Sequence, residues 1–169
     1  MHTLKSKLKT LYIHGLESSP KKKKIEIIEK HSIVHALHLD YHNQPESFNI
    51  LSKLIVNKDI NCIIGSSFGG MLGYWLAEKH KIPALLFNPA LLIDKSVIHF
   101  EVNHNLSPYK LIILGKKDKI VDPLFTTRFL NKNLIEKNYE LIECEELEHK
   151  IDLNTFKEKC EYFYKKISL

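Results

Sequence analysis

One arginine, Arg128, stands among 25 basic residues. The planar arginine fork does most bidentate recognition of phosphate, so a chain this poor in arginine lacks the usual equipment for reading nucleic acid. The run Lys21-Lys22-Lys23-Lys24 has no aromatic residue interleaved with it and reads as a solvated face. Neither nucleic acid nor a membrane surface is expected as a partner. No stretch of about eighteen uncharged apolar residues occurs, so no membrane span is expected. The start, MHTLKSKLKTLYIHG, has neither a continuous apolar core nor a small-residue cleavage site, which argues against a secretory signal. Cysteine is scarce and odd in number: Cys62, Cys144 and Cys160 show no CxxC or Cys/His spacing that suggests zinc. Two of them fall in apolar, strand-like runs. They read as buried free thiols in a reducing compartment, with the cytosol as the expected location.

What the chain does have is an alternation of short apolar runs and longer amphipathic stretches. Its 169 residues suffice for one domain, 1–169, with a real core and no disulfide or metal. No internal repeat and no linker rich in Pro, Gly or Ser divides it. Strands are expected at Thr10–His14, Ile33–Leu37, Ile60–Ile64, Ala84–Phe87, Leu111–Leu114 and Tyr139–Cys144, each short and bounded by polar or turn residues. Helices are expected from the Ser19-Pro20 cap to about Glu29, over Glu46–Asn57, over Phe68–His80, from Asp122-Pro123 to about Asn131, and over Leu153–Lys166. Strand and helix alternate throughout, which makes the fold class α/β: a parallel sheet covered on both faces.

In such a sheet chemistry gathers beyond the C-terminal ends of the strands. Those ends read HGLESSP (14–20), GSSFGG (65–70), NPA (88–90), GKKDKIVD (115–122) and ELEHK (146–150). Of only six glycines, three surround the serine pair 66–67. Gly65-Ser66-Ser67-Phe68-Gly69 fits G-x-S-x-G with Ser67 at the centre; a frame centred on Ser66 would place Ile64 and Phe68 where glycines are needed. This motif serves a sharp strand-to-helix turn that exposes a strained serine, and its small residues let the two backbones pass closely. The NH of Phe68, at the new helix start, would face a developing oxyanion. The Walker loop and the dinucleotide fingerprint are both missing.

A triad on this kind of turn runs Ser, then Asp or Glu, then His. Of ten histidines only His149 follows Asp118, and it lies just past the last strand. Asp118 is the favoured acid. Asp122, before Pro123, has the look of a helix cap, and Asp94 lies one strand earlier; both stay open as rivals. At the first strand end Gly15 permits a turn that would aim the NH of Leu16 at the same oxyanion, while His14 is given a capping or packing role only.

YIHGLESSP, GSSFGG, LLFNPA, GKKDKIVD and the late EH, in this order, resemble the segments of small esterases of the YqiA/YcfP type, a branch of the α/β-hydrolase superfamily. The resemblance covers nearly the whole chain. It implies a compact α/β-hydrolase fold with about six mostly parallel strands, helices on both faces and no large cap domain. It also implies Ser67 as nucleophile, Asp118 as acid and His149 as base. The expected activity is hydrolysis of a small acyl ester or thioester, with no metal or organic cofactor. The usual first two strands of the superfamily are missing, and Glu145-Glu146-Leu147-Glu148 replaces the familiar glycine-rich approach to the histidine. Carboxylates there would favour the imidazolium form of His149, which cannot act as base. The one insertion long enough for a lid is Pro89–Tyr109, with Leu91, Leu92, Ile93, Val97, Ile98 and Phe100. Two other classes remain: a hydrolase-fold scaffold with a vestigial triad, and a flavodoxin-like binder of flavin or nucleotide. The second would leave Asp118 and His149 without a task.

Overall fold

The computed structural model describes residues 7–91, 106–133 and 138–168. Six strands, β1 (Lys9–Ile13), β2 (Ile33–His35), β3 (Cys62–Ser66), β4 (Ala84–Phe87), β5 (Lys110–Gly115) and β6 (Tyr139–Cys144), alternate with α1 (Lys22–Glu29), α2 (Ser47–Lys58), α3 (Phe68–His80) and α4 (Pro123–Asn133), and α5 (Leu153–Ile167) closes the chain. The strands form one sheet in the order β2-β1-β3-β4-β5-β6. Every pairing is parallel.

Side chains alternate across a strand, and here that alternation feeds two cores. Leu11, Ile13, Ile63, Leu86, Ile112 and Leu114 face α2, α3 and α4 through Leu51, Ile55, Leu72, Tyr74 and Leu130. Tyr12, Ile64, Leu85, Phe87, Leu111 and Ile113 face α1 and α5 through Ile28, Phe156, Cys160 and Phe163. The central strands are buried on both faces, which is why they read as continuous apolar runs.

The strand order also locates the crevice. From β1 the chain moves outward through α1 to the edge strand β2, then returns through α2 on the opposite face to β3. Right-handed crossovers in opposite directions must lie on opposite faces, so the loops after β1 and β3 diverge. That divergence opens a cleft above the C-terminal ends of β1 and β3, at the switch point of the sheet.

The expected elements are all present, with boundaries moved by one or two residues in most cases. The larger correction concerns α1. Ser19 does not cap it: Lys21 occupies the N-cap position without a side-chain cap bond, and Pro20 precedes the helix. Asp122 does cap α4, accepting from the amide of Leu124 at 2.9 Å. Asp152 caps α5, accepting from the amides of Asn154 and Thr155. The three cysteines are free, but Cys144 is only half-buried where a buried thiol was expected. Asp94 and most of the expected lid segment, residues 92–105, lie outside the described residues. No helix among the described residues is long and apolar enough to cross a membrane.

One buried feature has no counterpart in the periodicity. Lys110, at the start of β5, and Glu78, on α3, are each about 1% exposed at the side chain and form an ion pair. The ammonium also donates to Ser107 Oγ at 2.8 Å and to the carbonyl of Pro108 at 3.2 Å. Burial pushes the Lys110 pKa down, and Glu78 pulls it back up.

Candidate active site

At the end of β3 the backbone turns sharply into α3, and Ser67 carries the turn with φ 55° and ψ −120°. A non-glycine residue there is strained by roughly 1–3 kcal/mol and persists only where its surroundings over-determine it. They do so here. The Ser67 amide donates to the Phe87 carbonyl at 2.9 Å, and its own carbonyl accepts from Met71 at 3.0 Å and Ala90 at 3.1 Å. The flanking glycines are required by close passage: a Cβ on Gly69 would overlap the carbonyl oxygen of His14, and one on Gly65 would overlap that of Gly69. Gly73 packs against Ile63 and Leu86, letting α3 lie close on the sheet.

Asp118 and His149 meet from the two neighbouring strand ends. His149 Nδ1 lies 2.8 Å from Asp118 Oδ2. The Asp118 carboxylate is fully buried and the His149 side chain is 27% exposed. The other carboxylate oxygen, Oδ1, accepts from the amides of Ile120 at 2.8 Å and Val121 at 2.9 Å, which locks its orientation. In a neutral imidazole, donation from Nδ1 to Asp118 places the lone pair on Nε2. Of the rival acids, Asp122 is used as the cap of α4.

Ser67 and His149 line one cavity of about 650 Å³ together with Leu16 and Phe68. Its walls are largely apolar: Leu91, Ile120, Val121 and Phe125 contribute. The expected nucleophile, base and oxyanion residues therefore share a single chamber, with the acid directly behind the base. No hydrogen bond from the Leu16 or Phe68 amide to a protein acceptor is present among the described residues. No group of three or more potential metal-ligating side chains occurs among them either.

The acidic run beside the histidine is largely answered. Glu145 pairs with Lys116 at 2.6 Å and Glu146 pairs with Lys117, both lysines coming from the loop after β5. These pairs are exposed and screened, yet they place a cation against two of the three carboxylates that were expected to hold His149 as imidazolium.

Two residues support the site in ways the sequence did not reveal. Asn88, 2% exposed and at φ 43°, closes β4. Its Oδ1 accepts from the Gly115 amide at 2.8 Å, and its Nδ2 donates to the carbonyls of Glu148 at 3.0 Å and His149 at 3.3 Å. It thus ties the loop that carries His149 to the end of β5, which leads to Asp118. Gly115 admits that loop, since a Cβ there would overlap the Leu147 carbonyl. The NPA tripeptide was the only signal of this role. His14, also 2% exposed, accepts from the Leu39 amide at Nε2 and lies with Nδ1 2.8 Å from the Gly15 carbonyl. Burial is the main cause that lowers its pKa; the Gly15 carbonyl opposes this, and His38 and Lys21 add to it.

A six-stranded parallel sheet, helices on both faces and a strained serine turn at the switch point define the α/β-hydrolase fold. The chain belongs to the family described as "Uncharacterised protein family (UPF0227)", whose profile matches residues 9–109. Solved structures share the fold at low identity. The monoacylglycerol lipase of Paleococcus ferrophilus is 15% identical, with a TM-score of 0.75 over 93% of this chain and 94% of that one. Est1E from Butyrivibrio proteoclasticus is 17% identical, with a TM-score of 0.67 over 96% and 89%. XC6422 from Xanthomonas campestris, described as a serine hydrolase without lid, is 16% identical, with a TM-score of 0.67 over 95% and 83%.

Proposed function

We propose that the protein is a serine hydrolase, an esterase or thioesterase acting on a small acyl ester. Ser67 serves as nucleophile, His149 as base and Asp118 as the carboxylate that orients it. The observation that carries this reading is the strained Ser67 turn sharing one cavity with a histidine whose Nδ1 is held at 2.8 Å by a buried aspartate.

Ser67 Oγ attacks the acyl carbonyl as its proton passes to His149 Nε2, and Asp118 stabilises the imidazolium that forms. The amides of Leu16 and Phe68 receive the oxyanion of the tetrahedral intermediate; losing one such donor costs roughly 10²–10³ in rate. His149 then protonates the leaving alcohol or thiol, and a water molecule activated by the same base releases the acid from the acyl-enzyme. The apolar lining of the 650 Å³ cavity suits a short or extended acyl chain. The chemistry calls on no metal or organic cofactor. Three free thiols fit a reducing compartment, the cytosol.

Labelling with a fluorophosphonate probe tests the reading. Wild type is expected to label, and Ser67→Ala and His149→Ala are expected to lose labelling while remaining folded. A folded wild type that stays unlabelled from neutral to mildly alkaline pH would leave a non-catalytic scaffold as the better account.

A further inference from the structure

The lysine run that read as a solvated face lines a second cavity beside the serine. This cavity, about 490 Å³, is walled by residues 21–24, by Lys150 and by Gly15. The turn 15–18 divides it from the apolar chamber: Gly15 and Ser18 face the lysines, whereas Leu16 and Glu17 face the acyl side. The neighbours His149 and Lys150 are split between the two cavities in the same way. The dividing wall is thin, since a Cβ on Gly15 would lie 3.3 Å from Ser67 Cβ and 3.9 Å from Ser67 Oγ.

The positive charge in this cavity is poorly compensated. Lys22 pairs with Glu26 at 3.9 Å, but among the described residues Lys21, Lys23, Lys24 and Lys150 form no ion pair. Among the described residues Asp152 is the one carboxylate in the lining, and it is committed to capping α5 and to Thr155 Oγ1. Lys24 does not extend into solvent: its ammonium rests 4.8 Å from the centre of the Phe156 ring. Burial pushes its pKa down, and Lys150 and Lys21 push the same way against Cys160 and Asp152. A half-desolvated ammonium without a carboxylate is costly unless an anion joins it. Ser66, in the same lining, has a buried Oγ without a hydrogen-bond partner. Lys21, Lys22 and Lys23 at the start of α1 and Lys150 after β6 are exposed and Lys24 is half-buried; the two segments line one cavity that stands one glycine away from Ser67.

We propose that this cationic cavity binds an anionic group, phosphate or carboxylate, on the alcohol portion of an ester whose acyl chain occupies the apolar cavity. The inference rests on the serine-hydrolase reading and narrows it to amphiphilic esters with a charged leaving group.

Three butyrate esters test it, those of ethylene glycol, of glycolate and of ethylene glycol phosphate. They are compared on wild type, on Lys21→Gln/Lys24→Gln and on Lys53→Gln, an exposed lysine of α2 on the opposite face of the sheet. In wild type kcat/KM is expected to be at least about tenfold higher for an anionic ester than for the neutral one, carried mainly by KM. That ratio should fall to about one in the double variant and persist in Lys53→Gln. A gain confined to the phosphate ester identifies phosphate, and an equal gain for glycolate identifies a single negative charge as sufficient. Equal values for all three esters, or a preference that survives in the double variant, would overturn the proposal. A second arm needs no turnover: calorimetric titration with ethylene glycol phosphate should show binding to wild type that is lost in the double variant. If the fluorophosphonate probe fails, the hydrolase reading falls, and this titration still decides whether the anion site exists.

Discussion

His14 holds the Gly15 carbonyl through Nδ1 at 2.8 Å, and in doing so orients the peptide that carries the Leu16 amide. In a planar trans peptide the carbonyl and the following N–H point in opposite directions, so fixing one aims the other. The tautomer is not free. Leu39 donates to Nε2 at 3.0 Å, which leaves the proton on Nδ1 to face Gly15. A residue read as packing therefore sets one of the two proposed oxyanion donors.

Replacing His14 should weaken turnover more than binding. His14→Ala is expected to lower kcat by roughly 10²-fold while KM changes little, because the lost interaction is with the transition state. His14→Asn, which keeps a donor near the Nδ1 position, should recover part of the loss. Steady-state kinetics on a neutral butyrate ester measures both; an unchanged kcat in His14→Ala would remove His14 from the oxyanion turn.

The same residue gives stability a pH dependence of definite sign. Its folded pKa lies below the ordinary 6.5, so its neutral form is favoured in the native state. Above pH 6.5 it is neutral in both states and costs nothing; as pH falls below 6.5 the unfolded chain takes up a proton that the native state resists, and stability drops. His35 and His80 are shifted the same way by burial. The thermal midpoint should therefore decline on acidification from pH 7 toward 5, and His14→Asn should decline less steeply than wild type.

Asn88→Asp should disturb the His149 loop without removing the residue's bond to Gly115. A carboxylate would face the carbonyls of Glu148 and His149, where Asn88 now donates twice. We expect fluorophosphonate labelling to slow by about tenfold or more near pH 8, consistent with the loss of one or two buried hydrogen bonds. Protonating the buried carboxyl restores a donor, so the ratio of variant to wild-type rate should improve as pH falls. A ratio that is flat with pH would assign Asn88 a purely structural role.

Asp118→Asn should be severe for a reason visible in the bonding. Oδ1 already accepts from Ile120 and Val121, so the amide oxygen stays there and the NH₂ turns toward His149 Nδ1. That forces the imidazole proton onto Nε2, the atom proposed to take the Ser67 proton. The expected fall in kcat is about 10⁴-fold with folding intact, checked by kinetics together with thermal denaturation.

The pair Lys110–Glu78 makes a stability prediction away from the site. Lys110→Met leaves the buried Glu78 carboxylate with only Lys81 at 3.6 Å and the Ser107 hydroxyl at 2.6 Å, and should cost up to about 3 kcal/mol, whereas Lys110→Met/Glu78→Leu should recover most of it. Urea denaturation of the two variants measures the difference; equal losses would mean that the pair's geometry, not its charge balance, supports β5.

The sequence by itself determined the alternation of strands and helices, the glycine-flanked turn at Ser67 and the chain order of Ser67, Asp118 and His149. These are local: short continuous apolar runs, the steric demand at Gly65 and Gly69, and the position of a residue just past a strand end all act within a few residues. What only the tertiary structure decided involves partners far apart in the chain. Asn88 reaches residues 60 and 61 positions away, and His14 is held by an amide 25 positions on. The burial of Lys110 against Glu78 spans 32 positions, and the lysine run becomes a cavity wall only when Lys150 is brought beside it. No periodicity encodes such meetings, because a buried polar group is stable only opposite a specific partner, and the sheet order chooses that partner.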